Sequence, residues 1–173
     1  EAQLLSDGGS GGMVMADDGG EMMMAQMQKA GKGATHRKIA RFAAKRLRKD
    51  ARVAAFSLNG WDTHQAQERN LTRALERLSE TLVTLKDTLT GPIWKKTAVV
   101  VMTEFGRTAR ENGTGGTDHG TGGLMITAGG AVRGGRVIGD WPGLESGALY
   151  EDRDLMPTRD VRAHAAWIMR GLI

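Results

Sequence analysis

Six leucines, at 71, 75, 78, 82, 85 and 89, follow one another at intervals of four, three, four, three and four residues. An α-helix turns once in about 3.6 residues, so this spacing lines a single face and predicts a long amphipathic helix from Gln65 to Leu89, stopped by Gly91-Pro92. Such a face must be buried, and the flanking sequence offers the material. Before the helix, Ala51–Leu58 (ARVAAFSL) is a short apolar run closed by Asn59-Gly60; after it, Thr97–Met102 (TAVVVM) is apolar on both faces, as in the middle of a parallel sheet. Strand, helix, strand predicts a right-handed crossover unit, and with it an α/β fold whose mostly parallel sheet is flanked by helices.

The remaining segments extend this pattern. Gly123–Ala128 reads as a third buried strand and Arg136–Gly139 as a short edge strand. Val161, Ala165, Ile168 and Leu172 share one face of a closing helix over residues 160 to 173, capped by Thr158 or Asp160, with His164 as a surface or packing residue. At 173 residues with 40% apolar and 25% charged side chains, one domain with a real core is expected. Residues 34–173 would make that domain. Residues 1–33 are rich in Gly and Met and predict a flexible surface segment; soft-metal binding by Met13, Met15, Met22, Met23, Met24 and Met27 is the alternative.

The charge of +4 narrows the partners. Its excess lies in His36–Lys49, where Ile39, Phe42, Ala43 and Leu47 fall near one helical face and the basic residues occupy the rest, so a solvated basic face is the simpler reading. With three Phe and one Tyr, stacking platforms for single-stranded nucleic acid are poorly supplied, and no nucleic-acid partner is expected. No apolar run approaches the ~20 residues of a membrane span, and no basic-then-apolar leader opens the chain. The chain begins with Glu1, which fits a fragment or a mature form. There is no cysteine, so any metal must be held by His, Asp or Glu.

In an open α/β sheet, polar sites form at the carboxyl ends of the strands. Three clusters fall there. The first strand runs into Asn59-Gly60-Trp61-Asp62-Thr63-His64, and the second into Thr103-Glu104-Phe105-Gly106-Arg107-Thr108. The third strand is entered from GTGGTDHGTGG at 113 to 123, where Asp118-His119 is set among Gly and Thr. Asp62, His64, Glu104, Asp118 and His119 can therefore converge as oxygen and imidazole ligands for one or two divalent cations: zinc, manganese, magnesium or calcium. Arg107 would grip an anionic substrate group. Each cluster also has a plain structural account, since Asp62 can cap the long helix and an Asp-His pair in a loop can make only a local hydrogen bond.

Several long motifs in one order carry a resemblance: GWDTHQAQ at 60 to 67, VVVMTEFGRT at 99 to 108, NGTGGTDHGTGG at 112 to 123, GGAVRGGRVIGDWPGL at 129 to 144, and LYEDRDLMPTRDVRAHAAWIMRGL at 149 to 172. Over roughly residues 34 to 173 the chain resembles the bacterial family called domain of unknown function 1501, within the alkaline phosphatase and sulfatase superfamily. That resemblance implies the C-terminal portion of a doubly wound α/β fold, a two-metal site, hydrolysis of phosphate or sulfate esters, and export to the periplasm by a twin-arginine signal. It implies a nucleophile upstream of Glu1, so this chain alone is expected to be inactive. Asp62 and His64 resemble the middle Asp and His ligands, Glu104 the strand-end acid, and His119 the last ligand; Phe105 stands where a metal-binding His would be, and Asp118 has no sure counterpart. The rival expectation is a non-catalytic α/β module with a vestigial or structural metal site that binds a partner or surface polymer.

Overall fold

The computed structural model describes residues 35–171 together with the two-residue strand Met13–Val14 (β1). The elements that follow are α1 (Thr35–Leu47), β2 (Ala55–Phe56), α2 (Gln67–Trp94), β3 (Val99–Val101), β4 (Gly106–Arg107), β5 (His119–Gly120), β6 (Ile126–Ala128), a 3-10 turn at Ser146–Ala148, and α3 (Val161–Arg170). The Gly- and Met-rich tract of residues 1–33, and with it the expected boundary at residue 33, lies outside the described residues apart from β1. The chain divides into two compact units, Glu1–Asp62 with Arg73–Leu89, and Thr63–Thr72 with Thr90–Ile173.

The first unit carries the apolar core. In α1, Ile39, Ala40, Ala43 and Ala44 are buried one helical turn apart, while Arg37, Lys38, Arg41 and Lys45 face solvent, as the basic-face reading expects. The core stretch of α2 buries Ala74, Leu78, Thr81, Leu85 and Leu89. This stripe is rotated slightly from the leucine row: Leu75 is largely exposed and Leu82 half-buried, while Ala74 and Thr81 take core positions. Thr81 is tolerated there because its hydroxyl donates to the Arg77 carbonyl at 2.7 Å. Glu80 accepts hydrogen bonds from Arg37 and pairs with His36, fastening α1 to α2.

The helix breaks where Gly91-Pro92 was expected to stop it. Thr90 leaves helical geometry at φ 65 and ψ 158, and a fresh turn then runs to Trp94 with Pro92 near its start, where a missing N–H costs no ladder bond.

The second unit is held mainly by backbone pairing and polar contacts; among its described residues Leu149 is the buried large apolar side chain, and Thr63, Thr117 and Asp154 are the buried polar ones. Its strands pair antiparallel: Val99, Val100 and Val101 of β3 with Ala128, Thr127 and Ile126 of β6, and Gly106 and Arg107 of β4 with Gly120 and His119 of β5. β1 and β2 also pair antiparallel, in the first unit. The order strand, helix, strand is present, but every pairing among the described residues is antiparallel rather than parallel. No helix intervenes between β3 and β6, whereas parallel neighbours are usually joined by a helical crossover. Arg136–Gly139 is a correction: it forms no strand, and Val137 and Ile138 lie exposed. Two adjacent glycines, Gly134 and Gly135, the latter at φ +74, precede it, and no partner strand among the described residues meets it. α3 forms with Asp160 as its cap, the carboxylate accepting from the Arg162 N–H at 2.9 Å.

Candidate metal centre

The approach to α2 places the first site residues. The chain crosses from one unit to the other between Asp62 and Thr63, so Asp62 stands two residues from His64 by covalent connection. Asp62 does not cap the helix. Ala66 occupies the cap position in a left-handed conformation, φ 46 and ψ 45, with no side-chain cap bond. The Gly/Thr loop serves instead: the Ala66 N–H donates to the Thr114 carbonyl at 3.1 Å and the Gln67 N–H to the Gly115 carbonyl at 2.7 Å. Glycine is required at this contact, because a Cβ on Gly116 would overlap the carbonyl group of His64, and Gly115 sits at φ +71.

A second tie joins the same two segments. Gln67 Oε1 accepts from the hydroxyls of Thr63 and Thr117, each at 2.7 Å, and the Thr117 N–H donates to the Thr63 carbonyl at 3.2 Å. Both threonines are buried, so these bonds lie where losing one leaves a polar group unsatisfied. Arg107 adds a third tie, its Nη1 donating to the Thr117 carbonyl at 2.8 Å, and it faces His119 across the β4–β5 pair. Thr63-His64 and Thr117-Asp118-His119 are thus locked side by side.

The lock brings together Asp62, His64 and His119, each offering a donor atom within 4.8 Å of the others. His64 Nε2 and His119 Nε2 stand 3.1 Å apart, with ring centroids at 4.7 Å and planes inclined by 41°. Two imidazole nitrogens so placed cannot both present lone pairs to each other without a hydrogen or a cation between them. At the zinc–nitrogen length of 2.0–2.1 Å, two ligands at a tetrahedral angle stand about 3.3 Å apart, so the observed separation fits a shared ion. Phe105 packs its ring 4.2 Å from that of His119, inclined by 34°, giving the exposed imidazole one apolar wall.

The other expected ligands are placed differently. Asp118 Oδ1 lies 3.0 Å from His64 Nδ1, on the ring edge away from Nε2, and outside the three-donor group. Hydrogen bonds from His64 and then Asn112 hold its carboxyl below the ordinary 3.8. Glu104 is exposed and also stands outside the group. Its neighbour Thr103 turns its hydroxyl onto the Phe105 carbonyl at 2.7 Å, in the bend that follows β3.

Sequence reasoning passed over three contributors. Asn112 binds both the His64 carbonyl, at 2.9 Å, and the Asp118 carboxylate, at 3.0 Å. Arg110 and Arg153 line a cavity of about 210 Å³ that Asn112 and Asp118 border. Arg153 also pairs with buried Asp154 at 2.9 Å and reaches the His119 carbonyl at 3.5 Å. Nothing in the local sequence around Asn112 announces the amide's partners.

No curated protein and no solved structure shows a significant match to the chain. A family model does match, over residues 12–164, which takes in every residue of the centre and the loops that lock it. By that match the chain belongs to the family described as Protein of unknown function (DUF1501).

Proposed function

We propose that the protein is a metal-dependent hydrolase of phosphate or sulfate esters, its ion held by Asp62, His64 and His119. The observation that carries this reading is the 3.1 Å approach of the two Nε2 atoms beside a carboxylate. One carboxylate and two imidazoles suit zinc or another nitrogen-tolerant first-row ion such as manganese better than calcium or magnesium, which favour oxygen donors. Three protein donors leave coordination room, as in catalytic rather than structural zinc sites. Bound there, such an ion supplies Lewis-acid polarisation of an ester oxygen and activation of water. Arg107, opposite His119 on the same face of the β4–β5 pair, with Arg110 and Arg153 beside Asp118, places positive charge for an anionic group. An alkaline-phosphatase-like arrangement and export to the periplasm belong to the same proposal, as what the resemblance to that family implies. Among the described residues no helix is long and apolar enough to cross a membrane.

One observation favours a second reading. Glu104 stays outside the donor group, so the described residues assemble ligands for one ion and not two. A non-catalytic module with a vestigial site follows from that. Turnover separates the readings: the protein at its full natural length, loaded with zinc or manganese, is offered aryl phosphates, phosphodiesters and aryl sulfates. Hydrolysis of one class, abolished by chelation and by His119→Ala, supports the hydrolase. Metal bound in full with no turnover on any class leaves the binding module.

A further inference from the structure

Asp118 is a candidate ligand by sequence, and its contacts point to a different task. Its Oδ1 meets His64 at Nδ1, the ring nitrogen remote from His119. Its main chain is pinned from both sides by Thr108, whose Oγ1 accepts from the Asp118 N–H at 3.1 Å and whose N–H donates to the Asp118 carbonyl at 3.0 Å. The carboxylate therefore reaches the ring from a fixed origin.

Asn112 holds the other partner. One side-chain amide donates to the His64 carbonyl at 2.9 Å and to Asp118 Oδ1 at 3.0 Å, while its oxygen accepts from the Thr114 N–H, the Gly116 N–H and the Thr114 hydroxyl at 3.0, 3.1 and 2.9 Å. These partners fix which way the amide faces, since the reverse would set oxygen against two acceptors and nitrogen against two backbone N–H donors. The single Thr114 hydroxyl proton is shared with the His64 carbonyl, 2.7 Å from the hydroxyl oxygen. His64 is thus gripped at its backbone and at its ring by one connected network.

We propose that Asp118 is a positioning residue that acts through His64: its carboxylate holds the imidazole as the Nδ1–H tautomer, so that Nε2 keeps its lone pair for the ion, and Asn112 aligns the two. The inference rests on the metal centre proposed above. Carboxylate or carbonyl partners of ligating histidines set tautomer and orientation in this way, and their loss typically costs 10–100-fold in metal affinity.

The test begins with the metal-free full chain. Imidazole nitrogen resonances should report His64 as Nδ1–H in the unaltered chain and a shift toward Nε2–H in Asp118→Ala. Asp118→Asn keeps an oxygen acceptor at the same place and should shift less. Zinc affinity, read by competition with a chromophoric chelator, should fall about 10–100-fold in Asp118→Ala and less in Asp118→Asn, with Asn112→Ala also weakened. X-ray absorption of the zinc-loaded Asp118→Asn chain should show an unchanged first coordination sphere. Unaltered tautomer and affinity in Asp118→Ala would overturn the proposal, as would loss of an oxygen neighbour from zinc in Asp118→Asn, which would make Asp118 a ligand. If Asp118→Ala does not fold, the Asn variant and Asn112→Ala carry the same readings. A chain that binds no zinc would sink the metal centre alone, because the tautomer comparison is made without metal.

Discussion

Gly116 lacks a side chain at a place where none would fit, against the carbonyl group of His64. Alanine there must push the loop and the His64 segment apart, at a cost of about 1–3 kcal/mol for forced overpacking. Metal affinity should fall with it, a loss that thermal melts and zinc titration would show together. Glu104→Ala, by contrast, should leave zinc affinity within about twofold, because Glu104 stands outside the donor group; a large loss there would restore the two-ion expectation. At this scale the sequence was partly readable. Asp62, His64 and His119 stood out because carboxylates and imidazoles have few roles beside strand ends and glycine-rich loops. Asn112 did not, because its partners include a backbone carbonyl 48 residues away, and an amide carries no local sign of which carbonyl it will meet. Glu104 stands outside the three-donor group, in the bend after β3 where the Thr103 hydroxyl meets the Phe105 carbonyl, and no local pattern announces that bend.

Among elements, α2 was the most legible and its core face the least exact. A period of 3.6 over six leucines cannot mistake a helix, but it does not decide which of two adjacent rows faces inward; Ala74 and Thr81 won places that Leu75 lost. Leu89, fully buried, anchors the end of that row, and Leu89→Ala should cost about 2–5 kcal/mol by denaturant melt. The strands were read as apolar runs, which fixes neither partner nor direction; pairing depends on what lies between them, and β3 and β6 are joined without a helix. Glu80 adds a pH dependence to the helix pair. Its hydrogen bonds from Arg37 and then His36 lower its pKa from 4.5 to about 2. With the folded value below the unfolded one, the contribution is complete above pH 4.5 and is lost as the pH falls toward 2. Glu80→Gln should therefore flatten the acid limb of the stability curve between those values, with a smaller difference at high salt, since the pair is exposed. An unchanged acid limb would show that the pair adds nothing to folding.

The whole molecule consists of one unit with an apolar core and another braced by threonine, glutamine and asparagine side chains around a candidate ion site. A unit so short of buried apolar surface should gain visibly from a ligand that binds only its folded form. Zinc at 100 times its Kd should add roughly 2.7 kcal/mol and raise the melting temperature, and chelation should reverse the rise. The most direct measurement is calorimetric titration of zinc into the metal-free chain and its His64→Ala, His119→Ala and Asp62→Ala variants. The centre described here predicts one ion per chain, bound at a site that either histidine variant abolishes and the aspartate variant weakens. Absence of binding to the unaltered chain, or binding undiminished in both histidine variants, would contradict it.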